Sequence, residues 1–411
     1  MGIKLGRLRF RVPELDAPLL AGALGLVAVG LATVYSATSL PGQHEGLWAK
    51  QLVWTLLAIA AAWATAAIHY RVYDSLAYPF YLVAIALLVL VLVAGTSAYG
   101  AKRWLEYGAL RFQPSEIAKV ATVMAVARLL DGPNVDLRRI RYWLPPMLIA
   151  LLPFLLVLRQ PDLGTSLTYP VILVAMYFWA GMPVSTVLLG LSPVFNVVLF
   201  FATGSLWWFV GILAVALAAI RPKRTALLVV VALNALVAYG LPNAWNHLHD
   251  YQKRRIETFL NPGQDPHGAG YQIIQSKIAI GSGGVVGKGY LKGTQKALAF
   301  LPMRHTDFIY SVVGEEFGLL GTLTVVILYG VVLVRGLKIA TAARNGFAGL
   351  MVVGLMAAFF YHVFVNILMT IGWAPVTGLP LPLLSYGGTA LIVNGLQIGL
   401  IQNVAMRRHE F

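Results

Sequence analysis

Apolar runs of about 18 residues or more recur along nearly the whole of this 411-residue chain, and each is long enough to cross a hydrocarbon core of roughly 30 Å. No other feature constrains the fold so tightly. Inside lipid every backbone N–H and C=O must find a partner, which leaves helices or a closed barrel, and the short alternating segments of a barrel are absent. The runs lie at about 17–36, 50–68, 77–95, 114–130, 144–158, 165–181, 184–202, 205–220, 225–242, 308–334, 346–370 and 387–405. The sequence therefore predicts an all-α, polytopic membrane protein of about twelve transmembrane helices, a single domain over 1–411. Only 11% of residues are charged, where soluble domains carry roughly a quarter.

The first run follows Lys4, Arg7, Arg9 and Arg11, like a signal peptide, but its apolar core is long and many spans follow, so it reads as a retained anchor. Lys and Arg collect on cytoplasmic loops. With the N-terminus inside, those loops hold Arg71, then Arg128, Arg138, Arg139 and Arg141, then Arg221, Lys223 and Arg224, then Arg335, Lys338 and Arg344, and finally Arg407 and Arg408. This pattern is consistent with an even number of spans, both termini in the cytoplasm and segment 243–307 outside. The net charge of +15 is spread over the inner loops and that outer segment and calls for no nucleic acid. With no cysteine, disulfides hold nothing together outside the membrane.

Three outward segments are more than turns: 96–113, 243–307 and 371–386. The longest far exceeds an ordinary helix connection, and loops of that length are usually functional or disordered. Its apolar content opposes disorder. Within it Ile273, Ile274, Ile278 and Ile280 recur near helical spacing, predicting a short amphipathic or re-entrant helix that ends at the glycines following Gly281. Segment 371–386, IGWAPVTGLPLPLLSY, is apolar yet carries three prolines. Irregular backbone at membrane depth is tolerated only under cover of protein or beside a watery cavity, and the expectation is that it lines a cavity.

Several residues could carry chemistry. Asp265 in NPGQDPHGAG is either a turn residue or a functional carboxylate. It shares its loop with Lys253, Arg254, Arg255, Lys277, Lys288, Lys292, Lys296 and Arg304, and such cations keep a carboxylate ionised. The same cations suit an anionic substrate such as a lipid pyrophosphate. In AKRWLEYGALRFQPSEIAK, Pro114 and Glu116 fit the first turn of a helix. Glu116 and Lys119, three apart, share a face; either they form a simple intrahelical pair, or Lys119, one turn into an apolar run, faces an interior partner. Arg103 and Arg111 add cations at the same mouth, and Trp104 is either an interfacial aromatic or a platform for a sugar. Arg159 and Asp162 read as a structural pair. Glu315 and Glu316 open the tenth span after Thr306 and Asp307, either of which suits an N-cap, and a buried hydrogen-bonding role for them is at least as good a reading as chemistry. GSGGVVGKG is no phosphate loop, since the leading Gly is missing and Gly289 stands where Ser or Thr would hold magnesium; no nucleotide cofactor follows. His247 and His249 lack a third ligand for zinc.

Together the stretches RWLEYGALRFQPSEIAK, RQPDLGTS, FLNPGQDPHGAGYQIIQSKIAIGSGG, GKGYLKGTQ, FLPMRHTDFIYSVVGEEFGLLG and TGLPLPLLSYGG, in this order from about 100 to 388, closely resemble the SEDS family of peptidoglycan polymerases. QSKIAIGSGG and GKG…GTQ are more similar to its cell-elongation branch than to its division branch. The family has about ten spans, so 183–242 is expected to hold an added pair of helices. The resemblance implies a glycosyltransferase in the bacterial cytoplasmic membrane that acts on its outer face. A donor glycan on undecaprenyl pyrophosphate is attacked by the 4-hydroxyl of an acceptor, with inversion, and lipid II is the building block. Asp265 matches the family's general base, and a divalent cation, Mg or Mn, is implied to help neutralise the leaving pyrophosphate. Arg103, Arg111, Lys119, Lys288 and Lys292 are candidates to meet the pyrophosphate. Trp104, Gln113, Glu116, Gln295, Arg304 and His305 match other motif positions that contact lipid II or the lipid-linked glycan. A class B penicillin-binding protein, a single-span transpeptidase, is the implied partner. The competing reading is a transporter or flippase for lipid-linked precursor; such a protein is expected to keep ionisable groups near the midplane and to show repeated halves, whereas here they cluster at one outer face.

Overall fold

The computed structural model describes residues 15–39, 46–98, 101–107, 110–133, 135–137, 139–203, 207–220, 224–247, 253, 257–259, 263, 269–294, 301 and 303–407. A helix lies at each expected span: α1 (Ala17–Thr38), α2 (Leu47–Ala67), α3 (Tyr70–Ala94), α4 (Pro114–Leu130), α5 (Leu144–Arg159), the short α6 (Leu163–Ser166) continuing into α7 (Thr168–Trp179), α8 (Val184–Thr203), α9 (Trp207–Ile220), α10 (Arg224–His247), α12 (Ile309–Ala342), α13 (Gly346–Thr370) and α14 (Gly388–Met406). Six of them, α1, α2, α3, α12, α13 and α14, are by length and composition alone sufficient to cross a membrane. The expected helix within the long outer segment is α11 (Ala269–Ser282). α10 runs five residues beyond the span expected from hydropathy and takes in the start of that segment.

The outward segment 96–113 departs from an all-helical fold. It forms an antiparallel meander of β1 (Thr96–Ala98), β2 (Ala101–Tyr107) and β3 (Leu110–Phe112), in which Thr96 pairs with Trp104 and Glu106 with Arg111. Trp104 and Tyr107 are β-formers, and pairing among the three strands satisfies the backbone.

α4 stands at the centre, buried along nearly its whole length and packed by α3, α5, α7, α13 and α14. About 78% of α13 and 72% of α14 is buried over the span, against 17% of α2 and 28% of α3, so the last pair belongs to the core and the early helices face lipid. α14 packs on α2 through small residues, and a Cβ at Gly395 would stand 2.3 Å from the Ala58 carbonyl oxygen; without a hydrophobic drive between helices in lipid, such close backbone approach is what holds them. α8, α9 and α10 fill the 183–242 region and meet the rest mainly through α7. There a buried polar clasp, Asn234 Nδ2 donating to Ser192 Oγ at 2.7 Å, joins α10 to α8. At the face holding the chain's N-terminus, the Arg335 guanidinium pairs with Asp16 at 2.5 Å, tying α12 to the cap of α1.

α12 is broken near its start. Gly318 adopts φ 64°, ψ −155°, outside helical geometry, and the glycine-rich stretch after α11 occupies the gap. In an unbroken helix the N–H groups of Leu319 and Leu320 would bond to the carbonyls of Glu315 and Glu316. Instead Leu319 and Leu320 donate to Gly284 and Val285 at 2.9 and 3.1 Å, while Lys288 and Gly289 donate to Glu315 and Glu316 at 3.0 Å each. The loop thus replaces two lost helical bonds, as buried backbone requires. These are the residues that superficially evoke a phosphate loop; two of its N–H groups are committed to helix carbonyls.

Candidate active site

The described residues of the expected site lie toward the end of the bundle where α4 begins and α13 ends. Pro114 opens α4 behind Gln113, whose half-buried side chain makes no cap bond. Glu116 and Lys119, 4% and 3% exposed, are joined at 2.9 Å. Lys119 also faces an interior partner: its Nζ lies 2.9 Å from His362 Nε2 on α13. Thr168 Oγ1, at the start of α7, lies 3.4 Å from the same nitrogen. Both readings of Lys119 therefore hold at once, and the ion pair extends into a buried network across three helices.

Above this network stands the meander. Arg103 on β2 reaches down to the turn after α5, donating to the carbonyls of Gln160 and Pro161 and standing 3.8 Å from Asp162. Asp162 caps α6 by accepting from Thr165 N and Oγ1 at 3.2 and 2.9 Å. The expected Arg159–Asp162 pair does not form: Arg159 ends α5 exposed, and Asp162, turned inward by its capping role, meets Arg103 instead. Arg111 is exposed and pairs across the strands with Glu106 at 2.7 Å. Trp104, half-buried, sits on the same strand as Arg103.

Segment 371–386 packs into the bundle, with Val376, Leu379, Leu381, Leu383 and Leu384 buried. Its prolines forbid a helix, so its carbonyls need donors from elsewhere. Three helical side chains supply some of them. Asn366 Nδ2 donates to Leu379 O at 2.6 Å, Tyr329 Oη to Pro382 O at 2.7 Å and Gln51 Nε2 to Ser385 O at 3.2 Å. Asn366 also donates to Asp307 O at 2.8 Å. The segment in turn holds residues 303–308. Tyr386 N donates to His305 O at 2.9 Å and Ser385 Oγ to Thr306 O at 2.6 Å. Burial pushes the Tyr386 phenol above its ordinary pKa, against the opposing effects of nearby Arg111 and a hydrogen bond with Trp54. Arg304 is buried, donates from Nε to Ala37 O at 2.9 Å, and is pulled below its usual pKa by that burial.

The cap expected at Thr306 or Asp307 is not formed: α12 starts one residue later, behind Phe308, without a side-chain cap. Glu315 and Glu316, 1% and 0% exposed, have the buried hydrogen-bonding role. Glu315 Oε1 accepts from Lys288 Nζ and Thr294 N at 2.7 Å and from Thr294 Oγ1 at 3.0 Å; Glu316 Oε1 accepts from Ser36 Oγ at 2.5 Å. Lys288 is thereby fastened to the break in α12, while Lys292 stays exposed. Asp265 and Gln295 lie outside the described residues. Among the described residues no three His, Asp or Glu side chains converge.

Sequence reasoning missed His362, Asn366, Tyr329 and Gln51. The first two carried a legible signal, since a histidine or asparagine within an apolar span must find a buried partner.

The chain matches the FtsW/RodA/SpoVE family model, described as cell cycle protein, over residues 16–205 and 191–410. The chain belongs to the SEDS family. Its SEDS relatives span it almost entirely. It is 39% identical over 396 residues to the peptidoglycan glycosyltransferase MrdB of Escherichia coli K12, covering 96% of this chain and 94% of that one. With the probable peptidoglycan glycosyltransferase FtsW of Trichlorobacter lovleyi it is 34% identical over 411 residues, 98% and 96% of the two chains. Among solved structures, it is similar to a chain of a peptidoglycan synthase complex that coordinates polymerisation and crosslinking, with TM-score 0.74, 31% identity and coverage of 97% and 99%. The rod shape determining protein RodA of Thermus thermophilus gives TM-score 0.65, 28% identity and coverage of 97% and 98%.

Proposed function

We propose that this SEDS protein is a peptidoglycan glycosyltransferase that polymerises lipid II into glycan strands on the outer face of the cytoplasmic membrane, with both of its own termini inside. The observation that carries the reading is the 39% identity, over 96% of the chain, with a relative named for that activity. A role in elongation rather than division is supported by the lower, 34% identity with the FtsW relative and by the likeness to a rod shape determining protein. Asp265 takes the proton of the acceptor 4-hydroxyl as that oxygen attacks the anomeric carbon, and the pyrophosphate leaves toward the basic groups of the outer face. A base must be ionised and within hydrogen-bond reach; the basic loop meets the first condition. Arg103 and Arg111 stand on the meander over α4, where fixed cations stabilise developing negative charge without reorganising. Lys119, buried against Glu116 and His362, belongs to the support of the site and not to its mouth.

A divalent cation, Mg or Mn, is part of the proposal, supplying charge neutralisation at the pyrophosphate when bound. The described side chains do not by themselves furnish a ligand set for it. Removing divalent ions with EDTA is expected to stop polymerisation at least a hundredfold, with recovery on adding Mg2+ or Mn2+; full activity in the chelator would overturn the requirement. A class B penicillin-binding protein is proposed as partner, supported by the likeness to a chain of a peptidoglycan synthase complex.

The test is purified protein with its transpeptidase partner, labelled lipid II and a divalent metal, read as glycan chains on a gel. Movement of lipid II between leaflets with no glycan made would replace this reading by a transporter.

A further inference from the structure

His362 stands where several separate restraints meet. It is 5% exposed, in the last third of α13, with Nε2 beside both Lys119 and Thr168. An ammonium has donors only, so Nε2 accepts from Lys119, and a neutral imidazole then carries its one N–H on Nδ1. The ring thus couples the α4 ammonium to α13. Lys119 is held between two acceptors at equal distance, Glu116 Oε1 and His362 Nε2, both 2.9 Å away.

What hangs from that coupling gives it a role. One turn further along α13, Asn366 grips Leu379 O and also Asp307 O, so one side chain of the helix holds both the proline segment and the end of the outer segment. Further along the proline segment, Ser385 and Tyr386 bind Thr306 and His305. At the other end of the coupling, Lys119 lies less than two turns below Pro114, where the strand bearing Arg111 enters α4. Neighbouring Tyr361 adds a third tie, its hydroxyl donating to Gly164 O in α6 at 3.1 Å; α6 is capped by Asp162, the residue beside Arg103.

We propose that His362 is a positioning residue for glycan polymerisation: through Lys119 it locks α13, whose Asn366 grips the proline segment, against the start of α4, and so fixes the floor beneath the outer-face groups. The proposal rests on the polymerase reading above. It gives His362 no contact with substrate, so its loss lowers turnover without weakening capture of lipid II.

The experiment uses the full chain with its partner, comparing His362→Leu, His362→Gln, Lys119→Gln and the Lys119→Gln/His362→Leu double variant at several lipid II concentrations. His362→Leu is expected to lower kcat at least tenfold with KM within twofold of the parent. Glutamine offers an oxygen toward Lys119 and is expected to restore kcat to within threefold. The double variant is expected to lose no more than Lys119→Gln alone, because the histidine acts through the lysine. Should His362→Leu not be recovered folded, the same cycle is run with His362→Asn, whose shorter amide stops short of Lys119. An active parent with His362→Leu inside twofold of it, or losses that multiply in the double variant, would overturn the proposal and leave the polymerase reading standing. A parent that makes no glycan sinks both. Independently of activity, 15N NMR of labelled histidine is expected to show His362 as the Nδ1–H form, and an Nε2–H signal would end the argument.

Discussion

Asp265→Asn is expected to lower glycan polymerisation by about 10²–10⁴-fold, the contribution typical of a positioned general base, while the protein remains folded and still binds lipid II. Asparagine keeps the shape of the side chain and suits a turn as well as aspartate does, so the Asn-Pro-Gly-Gln-x-Pro context is undisturbed. What it loses is the ability to take a proton. The cations of the same loop make the choice informative. If their only task were to pair with a structural carboxylate, the neutral variant would fail by unfolding and lose substrate binding with activity; if the carboxylate is the base, turnover alone collapses. Measured side by side, glycan output, lipid II binding and thermal stability separate the two, and near-parental turnover in a folded Asp265→Asn would remove it from the mechanism.

Gly318→Ala is expected to destabilise the protein severely. At φ 64° and ψ −155° the backbone occupies a region essentially reserved for glycine, where another residue pays about 1–3 kcal/mol in strain. The added Cβ would also stand 2.4 Å from Gly287 N and 2.6 Å from Val285 O, contacts with backbone that no rotamer relieves. Either the break in α12 closes, or the glycine-rich loop is expelled. In both cases the four replacement hydrogen bonds around Glu315 and Glu316 are lost, and with them the anchoring of Lys288 and Thr294 on the buried Glu315 carboxylate. The expected result is a lower melting temperature in detergent, faster proteolysis within 283–294 and polymerisation reduced at least a hundredfold. An alanine variant that melts like the parent and resists protease in that loop would show that the break is not held by this docking.

Much of this protein was legible before any coordinate. Twelve apolar runs located the helices because, in lipid, length and hydropathy are nearly sufficient conditions for a span. The isoleucine spacing of 273–280 located α11 for the same reason that any amphipathic helix shows itself, a periodic face. Pro114 and Glu116 marked the start of α4, and Glu116–Lys119 was a pair on spacing alone. Where expectation failed, the deciding contact was distant in sequence. Asp162 went to Arg103, 59 positions away, and not to Arg159 three away, since capping α6 fixed where its carboxylate points. Segment 96–113 became a meander, because strand pairing is a non-local satisfaction of the backbone that no single stretch displays.

The sequence by itself determined the solvent this chain lives in, the number and order of its helices, and the family motifs that single out Asp265 and its basic loop. Those properties are local, or sums over a window, and lipid removes the alternatives. Only the tertiary structure decided which buried polar groups answer one another: His362 to Lys119, Asn366 to Leu379 and Asp307, the glycine loop to the break in α12. The physical reason is that an unpaired polar group inside a membrane protein is costly whatever its neighbours in sequence, so each takes the partner that packing brings within hydrogen-bond reach, and packing is a property of the whole chain.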